Sequence, residues 1–312
     1  MAFIAGFGAA VPERVVGNEE LAGRIGRTAD WIRNVSGIEQ RRYVDSETVI
    51  DLAVSAAESC LEKAGCKPSE LGMIVMSCST SPRRFPGPAS QVANRLGLTE
   101  TPALDLPVAS AGALVAMSLA ADVAASRGPV LVVAAEIMSR IVLTEPLDPS
   151  VCILFGDGAG ACLIHPSRGG ARVLGSVMGT DGTFSEDLRL EDSTFLMNGR
   201  SVILQASRKM PRAVSEILRR FSLAASDVGT YLMHQANQNL MDRVADAIGV
   251  ERDRFFSNIA RYGNTSSASM LIAASEWAEN EGFRAGGRVC FTAFGAGFHW
   301  GALLAEGVAA PA

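Results

Sequence analysis

The sequence predicts an α/β fold made of two pseudo-symmetric halves, each a sheet covered by helices, with one buried helix of each half back to back at the centre. Two alignments within the chain carry this. Ser69-Glu-Leu-Gly-Met-Ile-Val-Met-Ser matches Ser226-Asp-Val-Gly-Thr-Tyr-Leu-Met-His without a gap, and Gly128-Pro-Val-Leu-Val-Val-Ala-Ala matches Gly287-Arg-Val-Cys-Phe-Thr-Ala-Phe at nearly the same offset. An internal repeat of about half the chain follows. The third observation is a helix from 111 to about 127, apolar on nearly all faces and stopped by Gly128, which places it inside the protein.

Taken in order, 3–8 reads as a strand, 18–25 and 29–35 as short helices, and 49–64 as an amphipathic helix ending at Gly65. Pro68-Ser-Glu-Leu-Gly leads into a strand at 73–78. A loop with Pro82, Pro86 and Pro88 precedes a helix at 90–96. The apolar run from Leu104 then turns into the buried helix, and a strand at 130–135 follows. The second half repeats this with a helix at 202–221, a strand at 230–233, a helix at 239–248 and an extended stretch at 255–258. The turn Tyr262-Gly263-Asn264-Thr265, a small-residue helix at 266–280 and a strand at 288–293 close the repeat. The expected units are 1–165, carrying Ser110, and 166–312, carrying His234 and Asn264.

Composition removes several classes of function. A chain of 312 residues that is 48% hydrophobic can bury a large core, but no apolar run is long enough for a transmembrane helix. The start, Met1-Ala-Phe-Ile-Ala-Gly-Phe-Gly, lacks a basic region and reads as a strand, so no signal peptide is expected and cytoplasm is the default. Six scattered cysteines in apolar runs read as buried thiols, and no metal site is expected. The net charge of −5 carries no nucleic-acid footprint, although Arg41-Arg42 and Arg83-Arg84 form local basic pairs suited to acidic partners or phosphates.

Chemistry converges through the repeat. Ser110 opens the buried helix of the first half, where free backbone N–H groups favour negative charge, and a serine there serves as an N-cap unless other chemistry meets it. The turn Gly263-Asn264 takes the equivalent place in the second half. His234 ends its strand at the edge where α/β sheets carry ligands. A histidine is suited to general acid–base work or to donating to a thioester oxygen. Asn264 is a neutral donor that stabilises an enolate or oxyanion. The backbone N–H groups of Ser110 and Ala296 form a candidate second oxyanion hole. His165, beside Pro166, reads as a surface residue, while His299 lies in the glycine-rich Gly295-Ala-Gly-Phe-His-Trp-Gly.

These residues resemble the thiolase-like condensing enzymes, and closely the β-ketoacyl-ACP synthase III branch. The likeness rests on Asp30-Trp31-Ile32 with Ser36-Gly37-Ile38, Phe85-Pro86, Phe155-Gly156-Asp157-Gly158-Ala159-Gly160, and His234-Gln-Ala-Asn237. It extends to Gly263-Asn264-Thr265-Ser266-Ser267-Ala268-Ser269 and Phe294-Gly295-Ala-Gly-Phe298-His-Trp300-Gly301, and so spans nearly the whole chain. A glycine run such as Gly156–Gly160 alone signals only a tight turn; six motifs in order are specific. The resemblance implies a thiolase-like αβαβα layered fold, a homodimer, no permanently bound cofactor, and transfer of an acyl group from acyl-CoA or an acyl carrier protein. In that family His234 and Asn264 would bind the thioester carbonyl and support decarboxylation of a malonyl extender. Trp31 would stack on the CoA adenine, and Phe85 would line the acyl pocket of a second copy. Asn237 and Phe298 belong to the same motifs and are expected at the substrate.

Departures from the family pattern matter as much. The family's nucleophile is a cysteine where this chain has Ser110, within Ala109-Ser110-Ala111-Gly112. A thiol at a helix N-terminus ionises readily, whereas a hydroxyl needs its proton removed. The serine is either native, with His234 assisting it, or a replacement that traps a complex. Basic anchors expected for CoA phosphates and the carrier protein are Val35, Pro149 and Asn239 here, with Arg33 and Arg243 as the nearest substitutes. Such contacts contribute roughly 1.5–3 kcal/mol each. A specialised, polyketide-like role is therefore expected rather than housekeeping initiation. Two other readings are a non-catalytic partner of an active condensing subunit and a Ser–His thioester hydrolase. Retention of His234 and Asn264 opposes the first, and absence of a G-x-S-x-G elbow opposes the second.

Overall fold

The computed structural model describes residues 1–191 and 194–309. Nine strands form a continuous sheet in the order Thr230–Met233, Arg288–Gly295, His299–Gly307, Ala171–Thr180, Phe3–Ala10, Asp157–His165, Val130–Ile137, Met73–Ser77, Ala103–Leu106. Strands 3–10 and 171–180 meet only through Phe3 opposite Arg172 and Ile4 opposite Ala171, so the sheet divides there into two arms. Within the first arm the strands follow one order, and the second arm repeats it. The one gap is filled by an isolated parallel bridge from Phe255 to Tyr231, whose rings stack at 4.8 Å.

Three large apolar clusters lie across this sheet and fix the layers. Helices Gly112–Arg127 and Ser269–Asn280 share the central cluster with residues of both arms. Val49–Ala64 and Pro88–Arg95 cover the outside of the first arm, while Gly199–Arg220 and Gln238–Ile248 cover the second. Helix, sheet, central helices, sheet and helix therefore stack in five layers. Helix 269–280 packs close against strand 157–165 because that strand carries glycines facing it: a Cβ at Gly160 would lie 2.5 Å from Leu271 Cβ, and one at Gly158 2.8 Å from Ile272 Cδ1. The glycine run 156–160 is thus largely strand rather than a tight turn.

Several expectations shift by small amounts. The first central helix starts at Gly112, with Ala111 as its N-cap, and Gly128 stops it at φ 87°. It is not buried throughout: Leu119, midway along it, is 40% exposed, and residues 125–127 are at the surface. The expected helix at 266–280 is a 3-10 turn, Ser266–Ala268, followed by Ser269–Asn280. Long strands at 171–180 and 299–307, and a hairpin of Leu188–Glu191 with Thr194–Met197, add to the sequence reading. The basic pair Arg41-Arg42 is no surface patch. Arg41 is fully buried and donates to Val16 O, Ile153 O and Asn18 Oδ1, and Arg42 donates to Pro12 O and Glu13 O. All six cysteines are free and buried, and no metal-ligand cluster or helix able to cross a membrane occurs among the described residues.

Candidate active site

Two sharp turns bring strand 103–106 into the central helix: Val108 N–H donates to Leu106 O at 2.8 Å and Ala111 N–H to Ala109 O at 2.7 Å. Between them Ser110 is forced to φ 61°, a left-handed conformation that costs a non-glycine residue about 1–3 kcal/mol. It caps nothing, because the capping place belongs to Ala111. The turn is pressed by Gly295, where a Cβ would sit 2.0 Å from Ala109 O and 2.6 Å from Ala111 N. A side chain there would push the glycine-rich loop off Ser110, so Gly295 is required.

His234 continues its strand by donating its N–H to Thr292 O at 2.9 Å. Its ring is buried, and Nδ1 lies 2.6 Å from Ser269 Oγ. That hydroxyl accepts the Gln235 N–H at 3.0 Å and has no other acceptor for its proton among the described residues, so it donates to Nδ1. The ring proton is then on Nε2. Burial lowers the His234 pKa to about 4, which keeps the ring neutral near pH 7. Asn264 is fixed in the same way: its Oδ1 accepts the Ser266 N–H at 2.9 Å, leaving the Nδ2 group as a donor.

Ser110, His234, Asn264 and Ala296 line one cavity of about 130 Å³. Its walls are apolar, with Met138, Ile141, Leu154 and Phe155 from the first half facing Val202, Ile203 and Leu240 from the second. The paired strands Leu188–Glu191 and Thr194–Met197 close one side, and Phe195 meets Phe155 edge to face at 5.3 Å. The structure brings together two neutral donors and a strained hydroxyl in a low-dielectric space, where hydrogen bonds to a developing oxyanion are strongest.

The remaining expected residues divide. Phe298 does not line this cavity: it is fully buried, stacked on Phe184 at 5.4 Å and against Phe294 at 4.7 Å, because its backbone pairs with Asp181 and turns the ring into the core. Asn237 lines the cavity, yet its side chain is committed, donating to Val35 O at 2.8 Å and accepting the Asn239 N–H at 2.9 Å. Trp31 is half-buried with Arg27 over its ring at 5.2 Å, Arg33 pairs with Asp30, and Arg243 is exposed. None of these three lines the cavity. Phe85 is 87% exposed and also outside it. His299 bonds Thr180 Oγ1 at 2.8 Å, and His165 accepts the Ser167 and Arg168 N–H groups, so neither reaches the site.

Sequence reasoning missed three contributors. Ser266, at φ 49°, accepts the Ser110 N–H at 3.2 Å. Ser269 orients His234. Glu136 is fully buried and accepts from Ser79 N–H, Ser79 Oγ, Thr80 Oγ1 and Ser267 Oγ, joining the cavity wall of one half to the Asn264 segment of the other. Only the serine-rich stretch 265–269 hinted at them.

Residues 104–182 match the family described as 3-oxoacyl-[acyl-carrier-protein (ACP)] synthase III, and residues 218–306 match its C-terminal counterpart. The chain is 35% identical to β-ketoacyl-[acyl-carrier-protein] synthase III of Oleidesulfovibrio alaskensis, over 97% of this chain and 98% of that protein. The structure of 3-oxoacyl-[acyl-carrier-protein] synthase III from Aquifex aeolicus superposes with a TM-score of 0.94 at 31% identity, covering 98% of this chain and 100% of that one. The priming β-ketosynthase of the R1128 polyketide pathway gives a TM-score of 0.90 at 31% identity, covering 99% and 97%. The chain belongs to the β-ketoacyl-ACP synthase III family of thiolase-fold condensing enzymes, and is an acyltransferase of that type.

Proposed function

We propose that the chain takes an acyl group from acyl-CoA or an acyl carrier protein onto Ser110 and passes it to a carrier-bound or small-molecule acceptor in a specialised, polyketide-like pathway. The observation that carries this reading is the meeting of Ser110, His234 and Asn264 at one apolar cavity, with both donors held in a fixed orientation. In the first step Ser110 Oγ bonds to the thioester carbon, the C–S bond breaks, and the Oγ proton leaves with the departing thiolate. His234 Nε2 and Asn264 Nδ2 hold the thioester or enolate oxygen in the second step. A ring whose pKa has fallen to about 4 is a poor base, which favours donation over a Ser–His pair and weighs against the hydrolase reading.

The specialised role is supported by what replaces the expected basic anchors. Asn239 Nδ2 donates to Asn34 O and Val35 O at 3.2 Å, so it staples two helices instead of meeting a phosphate. Fewer charge-assisted contacts favour a donor recognised by other means. The units 1–165 and 166–312 are read as the two halves, since the strand order repeats across that boundary. The exposed Phe85 suits contact with a second copy, in a homodimer.

Intact mass after incubation with a panel of acyl-CoAs and acyl carrier proteins tests this, beside Ser110→Cys. An adduct mapped to Ser110 is the expected result. An adduct on Ser110→Cys alone would mean that the serine disables an ordinary condensing enzyme, and none on either would favour the non-catalytic partner.

A further inference from the structure

Two serines adopt left-handed backbone conformations at the cavity, one from each half. Ser110 stands at φ 61° and Ser266 at φ 49°, each just before the central helix of its half. They are hydrogen-bonded to each other, the Ser110 N–H donating to Ser266 Oγ at 3.2 Å. The amide on which an oxyanion would ordinarily rest is therefore already engaged. Ser266 is 3% exposed and lines the cavity. Its oxygen accepts, but its own proton goes to no atom among the described residues. A buried hydroxyl with an unused donor is costly unless something at the site receives it. Strain confined to such a residue is a recurrent mark of a functional position.

We propose that the Ser266 hydroxyl is a catalytic residue of acyl transfer, donating its proton to the tetrahedral oxyanion formed on Ser110 while the Ser110 N–H polarises it from behind. The inference rests on the acyl-transfer reading above. As Ser110 Oγ bonds to the thioester carbon, the carbonyl electron pair moves onto oxygen. Ser266 Oγ–H and the Ala296 N–H hold that charge until the C–S bond breaks and the pair returns. No proton is consumed by the hole: the Ser110 proton leaves with the thiolate. Ser266 also fixes Asn264 through its backbone N–H, a contact that side-chain substitution leaves in place.

The test compares Ser266→Ala with Ser266→Gly, since glycine removes the hydroxyl without opposing a positive φ. Rapid-quench intact-mass measurement of acylation by an acyl-CoA should show both variants slowed roughly 10²-fold, the scale of losing one oxyanion donor. A second probe is an alkyl trifluoromethyl ketone, which forms a hemiketal with Ser110. Its affinity should fall by a similar factor in both variants, while the KM for acyl-CoA stays within about twofold. Thermal unfolding shows that each variant is folded. Wild-type rates and ketone affinity in Ser266→Gly would overturn the proposal alone. Failure of the wild type to take an acyl group, whether or not Ser110→Cys does, would remove the reading of acyl transfer onto Ser110, and the proposal with it.

Discussion

Nδ1 of His234 rests 2.6 Å from the hydroxyl of Ser269, the first residue of the second central helix, and the same hydroxyl accepts the Gln235 N–H. The ring is thus oriented by a neutral group. A carboxylate in that position would raise its basicity; a hydroxyl sets the tautomer without doing so. Replacing Ser269 with Ala leaves two buried polar groups without their partner, at about 1–3 kcal/mol each. We expect Ser269→Ala to lower kcat for acyl transfer roughly tenfold or more, with a smaller change in KM, because the Nε2 donor loses its orientation. Unchanged kcat in steady-state transfer assays would show that the ring is held by packing alone.

The pH dependence follows from burial of His234. Its folded pKa, about 4, lies below the ordinary 6.5, so the unfolded chain binds a proton first as pH falls. The stability at issue is fully present above pH 6.5 and is lost as pH falls toward 4, about 3 kcal/mol in all at 1.36 kcal/mol per pKa unit. Glu136 and Asp157, both raised by burial, act with the opposite sign. Denaturant midpoints of wild type and His234→Gln between pH 4 and 7 separate them: the difference between the two proteins should shrink as pH falls. For the same reason activity should stay level down to about pH 5, whereas an ordinary imidazole base would halve it near 6.5.

Among the described residues Glu136 receives four donors and meets no cation, so hydrogen bonds alone oppose the burial that raises its pKa. Glu136→Gln keeps the shape but turns one acceptor into a donor facing other donors. A loss of about 1–3 kcal/mol is expected from urea unfolding. A midpoint equal to wild type would mean that the Ser79, Thr80 and Ser267 contacts contribute little to joining the halves.

The meeting of three expected residues at one cavity is legible in the chain. Ser110, His234 and Asn264 were found from the internal repeat, because a repeated strand and helix order carries residues far apart in sequence to equivalent places. The cavity lining and the closeness of Ser266 to Ser110 were not legible. They depend on side chains from several elements and on a hydrogen bond from a backbone N–H to a side-chain hydroxyl 156 positions away. Phe298 shows the converse error: a motif residue beside the site whose ring turns into the core.

The sequence by itself determined the class, the repeat, the helix stops at Gly65 and Gly128, and the neutral character of Asn264, since each follows from local chemistry or periodicity. Strands 171–180 and 299–307 escaped because their glycine and alanine content weakens alternation. Only the tertiary structure decided that Ser110 is a strained turn residue rather than a cap, and that His234 is a neutral donor. Both outcomes come from long-range burial: Gly295 presses on the Ser110 turn, and the core around His234 excludes the water that would let its ring ionise.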